Sequence, residues 1–204
     1  MKDILIISGH TDLAASVANR TILETLGERL PEAEIVKLDE LYPDFKIDVE
    51  NEQRRLLRAD IIVLQFPVFW YSVPSILERW MEETFRHGFS HGSTGDKLKG
   101  KKLVLSFTTG APEEMYSHDG PMGYTIDEFL PCYKATCRLT QMEYCGYVYT
   151  GGGELWQPYQ PRTCRTTESH VDETCGTVNP LAGHALTSVT WVGALPLVCG
   201  QDIP

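Results

Sequence analysis

The chain has 204 residues, enough for one domain whose core folds unaided, and its composition is ordinary globular, 42% hydrophobic and 23% charged. A formal net charge of −10 argues against broad binding to a nucleic-acid backbone, which needs a basic face. It does not exclude one bound phosphate group, which backbone amides can hold.

Read in chain order, the first part alternates strand and helix signals. Ile4-Leu5-Ile6-Ile7 reads as a first strand. That run is far too short to span a bilayer, and the N-terminus is expected to carry no export signal. Leu13 to Leu30 reads as a helix, with Ile22, Leu26 and Leu30 on one face and Ala14, Ala15 and Ala18 allowing close approach. Pro31 follows as a stop. Glu34 to Leu38 is the second strand, Val49 to Arg58 a short charged helix, and Asp60 to Leu64 the third strand. Pro74 opens the next helix, where its missing N–H costs nothing, and Ile76, Leu77, Trp80, Met81 and Phe85 form its core stripe. Lys97, Lys99, Lys101 and Lys102 read as a solvated basic turn before a fourth strand, Leu103 to Phe107. Tyr124 to Thr136 is expected to be helical and Met142 to Tyr149 to be the fifth strand. This order predicts a doubly wound, five-stranded parallel α/β sheet of order 2-1-3-4-5, like flavodoxin, with helices on both faces.

The character changes after Gly151-Gly152-Gly153. The tail is rich in Thr, Pro, Gly and Cys, and its pattern shows no convincing helical period. The chain therefore divides into a domain over 1–150 and an atypical C-terminal tail over 151–204. Leu181 to Val198 is apolar enough to cover part of a sheet, but its period is ambiguous. The cysteines (Cys132, Cys137, Cys145, Cys164, Cys175, Cys199) form no Cys-x-x-Cys pair. They read as buried or idle thiols in a reducing cytoplasm, and their spacings argue against a zinc site.

Ligands of doubly wound sheets bind beyond the carboxyl ends of the strands, so three loops are candidates. Gly9 to Asn19 follows the first strand and opens a helix, whose free N–H groups favour an anion; His10 and Ser16 add donors, and Asp12 reads as a cap. It is neither a Walker loop nor the Thr/Ser/Gly-rich loop of true flavodoxins. Pro67 to Ser72, after the third strand, supplies aromatic rings that can wall a flat ligand. Thr108-Thr109-Gly110, after the fourth, allows close backbone approach, and N–H groups near Thr109 to Ala111 can face an electron-rich ring edge. Tyr116 can add its hydroxyl. Aromatic walls and a polar edge point to a flavin, whose N1/O2 edge becomes anionic on hydride uptake and is stabilised by fixed donors.

Gln-Phe-Pro-x-x-Trp-Tyr-x-x-Pro at Gln65 to Pro74 resembles the flavodoxin-like NAD(P)H:quinone oxidoreductases. That family includes DT-diaphorase, the modulator-of-drug-activity B reductases and the ancillary reductases of glutathione-gated potassium efflux. Leu41-Tyr42-Pro43-Asp44-Phe45 with Ile47-Asp48, and His87-Gly88-Phe89-Ser90-His91-Gly92, are similar to the efflux-ancillary branch. The resemblance covers about residues 1–150. It implies that His10, Ser16, Val17 and Asn19 hold the flavin phosphate and ribityl chain. Pro67, Val68, Phe69, Trp70 and Tyr71 would line the ring, and Thr108, Thr109, Gly110 and Ala111 its pyrimidine edge. Tyr116 matches a tyrosine that contacts that edge. Met122 falls near the position of the family's partner histidine, and His118 is the candidate stand-in, so Tyr116 and His118 are the catalytic candidates. Phe89 and His91 would roof the nicotinamide and quinone pocket.

The resemblance further implies FMN rather than FAD, NAD(P)H as reductant, a quinone or other flat acceptor served by a ping-pong cycle, and a cytoplasmic homodimer. A potassium efflux transporter is an expected partner; nucleic-acid binding and membrane insertion are not expected. A flavodoxin-type electron carrier and a flavin-bearing regulatory subunit of an efflux system are the rival readings. From about Glu154 the chain departs from the family, whose members usually end in an amphipathic helix. A coding-frame change and a genuine replacement would each produce that junction.

Overall fold

A computed structural model describes residues 3–152 and 164–165. Apart from Gly151, Gly152 and those two residues, the tail, with Leu181 to Val198, Cys175 and Cys199, lies outside the described part. Five strands run parallel: β1 (Ile4–Ser8), β2 (Glu34–Lys37), β3 (Ile61–Pro67), β4 (Lys102–Thr108) and β5 (Glu143–Thr150). Their order is 2-1-3-4-5, as the alternation of signals predicts. A short sixth strand, β6 (Cys164–Arg165), adds antiparallel to β5, with Arg165 opposite Tyr147 and Cys164 opposite Val148. Nothing in the polar sequence around it signals a strand.

The helices are α1 (Val17–Arg29), α2 (Leu38–Leu41), α3 (Val49–Arg58), α4 (Ser75–Thr84) and α5 (Pro131–Thr140). Alternate residues of the central strands feed two cores. Ile6, Val63 and Val104 join Leu23 and Leu26 of α1 on one face. Ile7, Leu64 and Leu105 join Ile76, Leu77 and Trp80 of α4 on the other. The central strands are buried on both faces, which is why they read as unbroken apolar runs. Pairing of β4 with β5 slips between Leu103 and Leu105, and Gly146, at φ +100°, lies within the irregular stretch of β5.

Several boundaries differ from the sequence reading for physical reasons. The first helix starts at Val17, not Leu13. Ser16 takes an extended backbone and caps α1, and Leu13–Ala15 forms a separate 3₁₀ turn. Ala14 and Ala15 are consequently exposed rather than packed. β3 runs on to Pro67, so Gln65 and Phe66 are buried strand residues. The expected helix from Tyr124 is a 3₁₀ turn at Ile126–Phe129, and α5 begins afresh with Pro131 in its first turn. Among the described cysteines, Cys137 and Cys145 are buried and Cys132 is exposed.

One buried carboxylate ties three elements together. Glu52 of α3 is fully buried and accepts hydrogen bonds from Tyr42 Oη (2.7 Å), Trp80 Nε1 (2.8 Å) and the Arg55 guanidinium. Burial, with the bond to Glu52, pushes the Tyr42 phenol up to about 12. This cluster braces α3 against α4 behind the sheet.

Candidate functional site

The three candidate loops leave β1, β3 and β4 at their carboxyl ends and are bonded to one another. The Gly9 N–H donates to the Gln65 carbonyl (2.8 Å), and the Val68 N–H to the Thr108 carbonyl (2.8 Å). Gly9 itself packs against α4: a β-carbon there would sit 2.7 Å from Leu77 Cβ.

In the first loop His10 is 9% exposed and lies edge-on to Phe69, ring centroids 5.8 Å apart. Its Nδ1 accepts the Asp12 N–H (2.9 Å), so the neutral ring carries its proton on Nε2. Burial lowers its pKa from the ordinary 6.5, against the opposing pull of Asp39 and Asp12. Asp12 caps the 3₁₀ turn by accepting from the Ala15 N–H (3.3 Å), as its type suggests. Asp39 of α2 accepts the Leu13 N–H (2.8 Å) and pins the loop from outside. Ser16 Oγ accepts the Asn19 N–H (3.3 Å) and Nδ2 (2.9 Å), closing the first turn of α1. Val17 is 61% exposed at that helix start. Asn19 is buried; its Nδ2 donates to Thr108 Oγ1 (3.1 Å), which joins the first loop to the third.

The second loop is a two-residue hairpin turn. Phe69 and Ser72 exchange both main-chain hydrogen bonds at 3.0 Å, and Trp70 and Tyr71 occupy its tip at φ +51° and +64°. Two consecutive left-handed residues define a type I′ turn, which favours Asn and Gly. Bulky rings there are strained, and such strain collects at functional sites. Trp70 is 92% exposed. Tyr71 stacks on Phe129 (5.2 Å) and its hydroxyl meets Met122 Sδ (3.3 Å). Pro67 is buried at the strand end, and Val68 is half-buried against the core.

The third loop corrects one expectation. The Thr109 N–H is committed to the Thr150 carbonyl (2.9 Å), and its hydroxyl donates to the Ala111 carbonyl (2.7 Å) beside Tyr149 Oη (2.9 Å). Among the described residues, the Gly110 and Ala111 N–H groups have no protein acceptor, so they are the donors left for a ligand. Tyr116 faces Phe129 and Tyr149 edge-on at 6.2 and 6.5 Å. Burial holds its phenol above the ordinary 10, so it is a donor throughout the neutral range. A shallow aromatic recess between the second and third loops is lined by Val68, Tyr71, Tyr116, Phe129 and Tyr133. A more polar cleft of about 210 Å³ also borders Tyr116 and is lined by Glu113, Asp127 and Tyr147.

The remaining sequence candidates make contacts of their own. His118 is exposed, with Nε2 3.6 Å from Glu128, whose own carboxylate accepts the Thr125 N–H (2.8 Å). Phe89 packs against the larger core, while His91 bonds Ser90 Oγ (2.9 Å) and meets the His87 ring at 5.6 Å. Residues that sequence reasoning missed are Gln65, Asp39 and Phe129. A polar residue inside an apolar strand was the available signal for Gln65. Asp39 and Phe129 carry none.

Residues 2–163 match the family described as flavodoxin-like fold. Among curated relatives, the uncharacterized NAD(P)H oxidoreductase YrkL of Bacillus subtilis is 37% identical over 71% of this chain and 82% of its own length. The glutathione-regulated potassium-efflux system ancillary protein KefF of Klebsiella aerogenes is 42% identical over 60% of this chain and 69% of its own. Among solved structures, general stress protein 14 of Treponema denticola in complex with FMN superposes with TM-score 0.71. It is 30% identical and covers 73% of this chain and 86% of its own. An NADPH-quinone reductase from P. pentosaceus gives TM-score 0.66 at 27% identity, covering 74% and 86%.

Proposed function

The chain belongs to the flavodoxin-like fold family, and from that premise we propose that it is an FMN-dependent NAD(P)H:quinone oxidoreductase. The observation that carries this reading is the bonded set of loops at the ends of β1, β3 and β4. Together they present a helix start, exposed aromatic rings and two uncommitted N–H groups.

The residues fit FMN. Ser16, Val17 and Asn19 at the start of α1, with His10 Nε2 as a further donor, would hold the phosphate and ribityl chain. Pro67, Val68, Phe69, Trp70 and Tyr71 would line the ring. Gly110 and Ala111 would donate to its pyrimidine edge, with Thr108 and Thr109 fixing that loop. When bound, FMN would supply hydride acceptance from NAD(P)H and two-electron delivery to a quinone, in ping-pong order. Fixed donors at the edge where charge develops lower the barrier without a protein nucleophile. Tyr116, kept protonated by burial, would hold its hydroxyl proton toward that edge. His118 would serve it only as a surface proton source, and Phe89 and His91 would roof the pocket across the interface of a cytoplasmic homodimer. Residues 1–150 would form the flavin-binding unit and 151–204 an appended tail.

The FMN complex of the Treponema denticola relative and the named activity of the P. pentosaceus reductase support this reading. Stopped-flow reduction by NADPH followed by reoxidation with a water-soluble quinone tests it. Two separable bimolecular phases are expected, and reduction without quinone-driven reoxidation would refute it.

The likeness to the potassium-efflux ancillary protein favours a second role, as an accessory subunit of an efflux transporter. A flux assay distinguishes the two: Tyr116→Phe would lower the reductase rate and spare a purely regulatory effect.

A further inference from the structure

Gln65, near the end of β3, has no place in the roles assigned above. It is fully buried on the α1 side of the sheet, in register with Ser8 of β1 and Ser106 of β4, both also fully buried. Ser8 Oγ, Ser106 Oγ and Gln65 Oε1 have no hydrogen-bond partner among the described residues. A row of orphaned polar atoms in a close-packed core costs stability, and apolar side chains of the same shape would remove that cost. Such a row is expected where placement of a site outweighs stability.

Gln65 does make contacts at both ends of the anion loop. Its carbonyl accepts the N–H of Gly9, the loop's first residue (2.8 Å). Its Nε2 donates to Oδ1 of Asn19, the loop's last residue (2.6 Å). That bond leaves Asn19 Nδ2 facing Ser16 Oγ (2.9 Å) and Thr108 Oγ1 (3.1 Å). One strand residue therefore sets the distance between the loop's ends and the orientation of the amide that organises the first turn of α1.

We propose that Gln65 is a positioning residue that holds Ser16 and Asn19 in place for the flavin phosphate, an inference that rests on reading this site as an FMN site. It acts through Asn19 and touches no ligand. Ser106, in the same row, makes no bond to Asn19 and serves as the control.

The test compares Gln65→Leu, Gln65→Met and Ser106→Ala with the parent protein in the full chain. Apo-protein melting is followed by circular dichroism, and FMN and riboflavin affinities by quenching of flavin fluorescence. The Gln65 variants should bind FMN about tenfold more weakly, the effect of one ordinary hydrogen bond. They should lose less affinity for riboflavin, which keeps the ribityl chain but lacks the phosphate, than for FMN, and melt no lower than the parent. Ser106→Ala should change neither affinity. Unchanged FMN affinity in a folded Gln65 variant would overturn the proposal, as would equal loss of both flavins with a lowered melting point. If neither Gln65 variant folds, the row is structural and the proposal fails. A parent protein that binds no FMN would overturn the functional reading itself.

Discussion

Trp70 offers a separation of backbone strain from ligand contact. Its φ of +51° puts its β-carbon in the left-handed region, while its ring, 92% exposed, contributes almost no packing. The left-handed conformation costs roughly 1–2 kcal/mol for a residue with a β-carbon. Trp70→Gly removes that cost but adds about 0.5–1 kcal/mol of chain entropy to the unfolded state. The net gain lies at about 0–1.5 kcal/mol, centred on about 0.75, which at this chain size raises Tm by about 1.5–3 °C at the centre of that range. Trp70→Ala keeps the β-carbon, so its Tm should stay within about 1 °C of the parent. Both variants delete the ring, so both should weaken FMN binding about 2- to 10-fold, the range of an aromatic stacking contact. Circular-dichroism melts of apo-protein and fluorescence titrations with FMN measure the two effects. Equal melting of the glycine and alanine variants would refute the strain argument. Undiminished FMN affinity in both would refute the placement of Trp70 at the ring.

Gly110→Val should abolish FMN retention on desalting, because a branched side chain between the two uncommitted N–H groups crowds the ring edge; normal flavin content in the folded variant would remove Gly110 from the site. Tyr116→Phe should slow flavin reduction about tenfold in stopped flow, with FMN affinity changed less than about twofold; an unchanged rate would leave Tyr116 a purely structural residue. His10 has a folded pKa below its ordinary 6.5, so the unfolded chain binds the proton first as pH falls. Apo-protein stability should therefore decline as pH drops through 6.5 toward the lowered value. His10→Gln should flatten that decline in urea titrations, and an unaltered pH slope would show that His10 is not its source.

Much of the frame was legible because its signals are strong. Buried parallel strands such as β3 and β4 are continuous apolar runs, and Asp48 with Val49 to Arg58 carries its own cap and charge order, acidic first and basic last. The rest was hidden by context. Gln65 reads as the residue after a strand that ends at Leu64, yet β3 includes it and Asn19 takes its amide nitrogen inside the core. Ser16 looks like a helical residue, yet it leaves the helix to cap it. The hairpin at Trp70 and Tyr71 carries neither Asn nor Gly, so its turn type is invisible in the sequence. The Thr109 N–H was expected to serve a ligand, but β5 takes it. Chain order could bring the three loops to one edge of the sheet. It could not show that His118 lies beside Glu128, because that depends on the local path from Tyr116 to Thr125.

The most direct test is the visible absorption spectrum of protein incubated with FMN and desalted, recorded before and after anaerobic addition of NADPH, with NADH in parallel. A retained flavin band that bleaches with either nucleotide is the predicted result. A folded protein that retains no flavin, or whose band neither nucleotide bleaches, would contradict the assignment as an NAD(P)H-dependent flavin reductase.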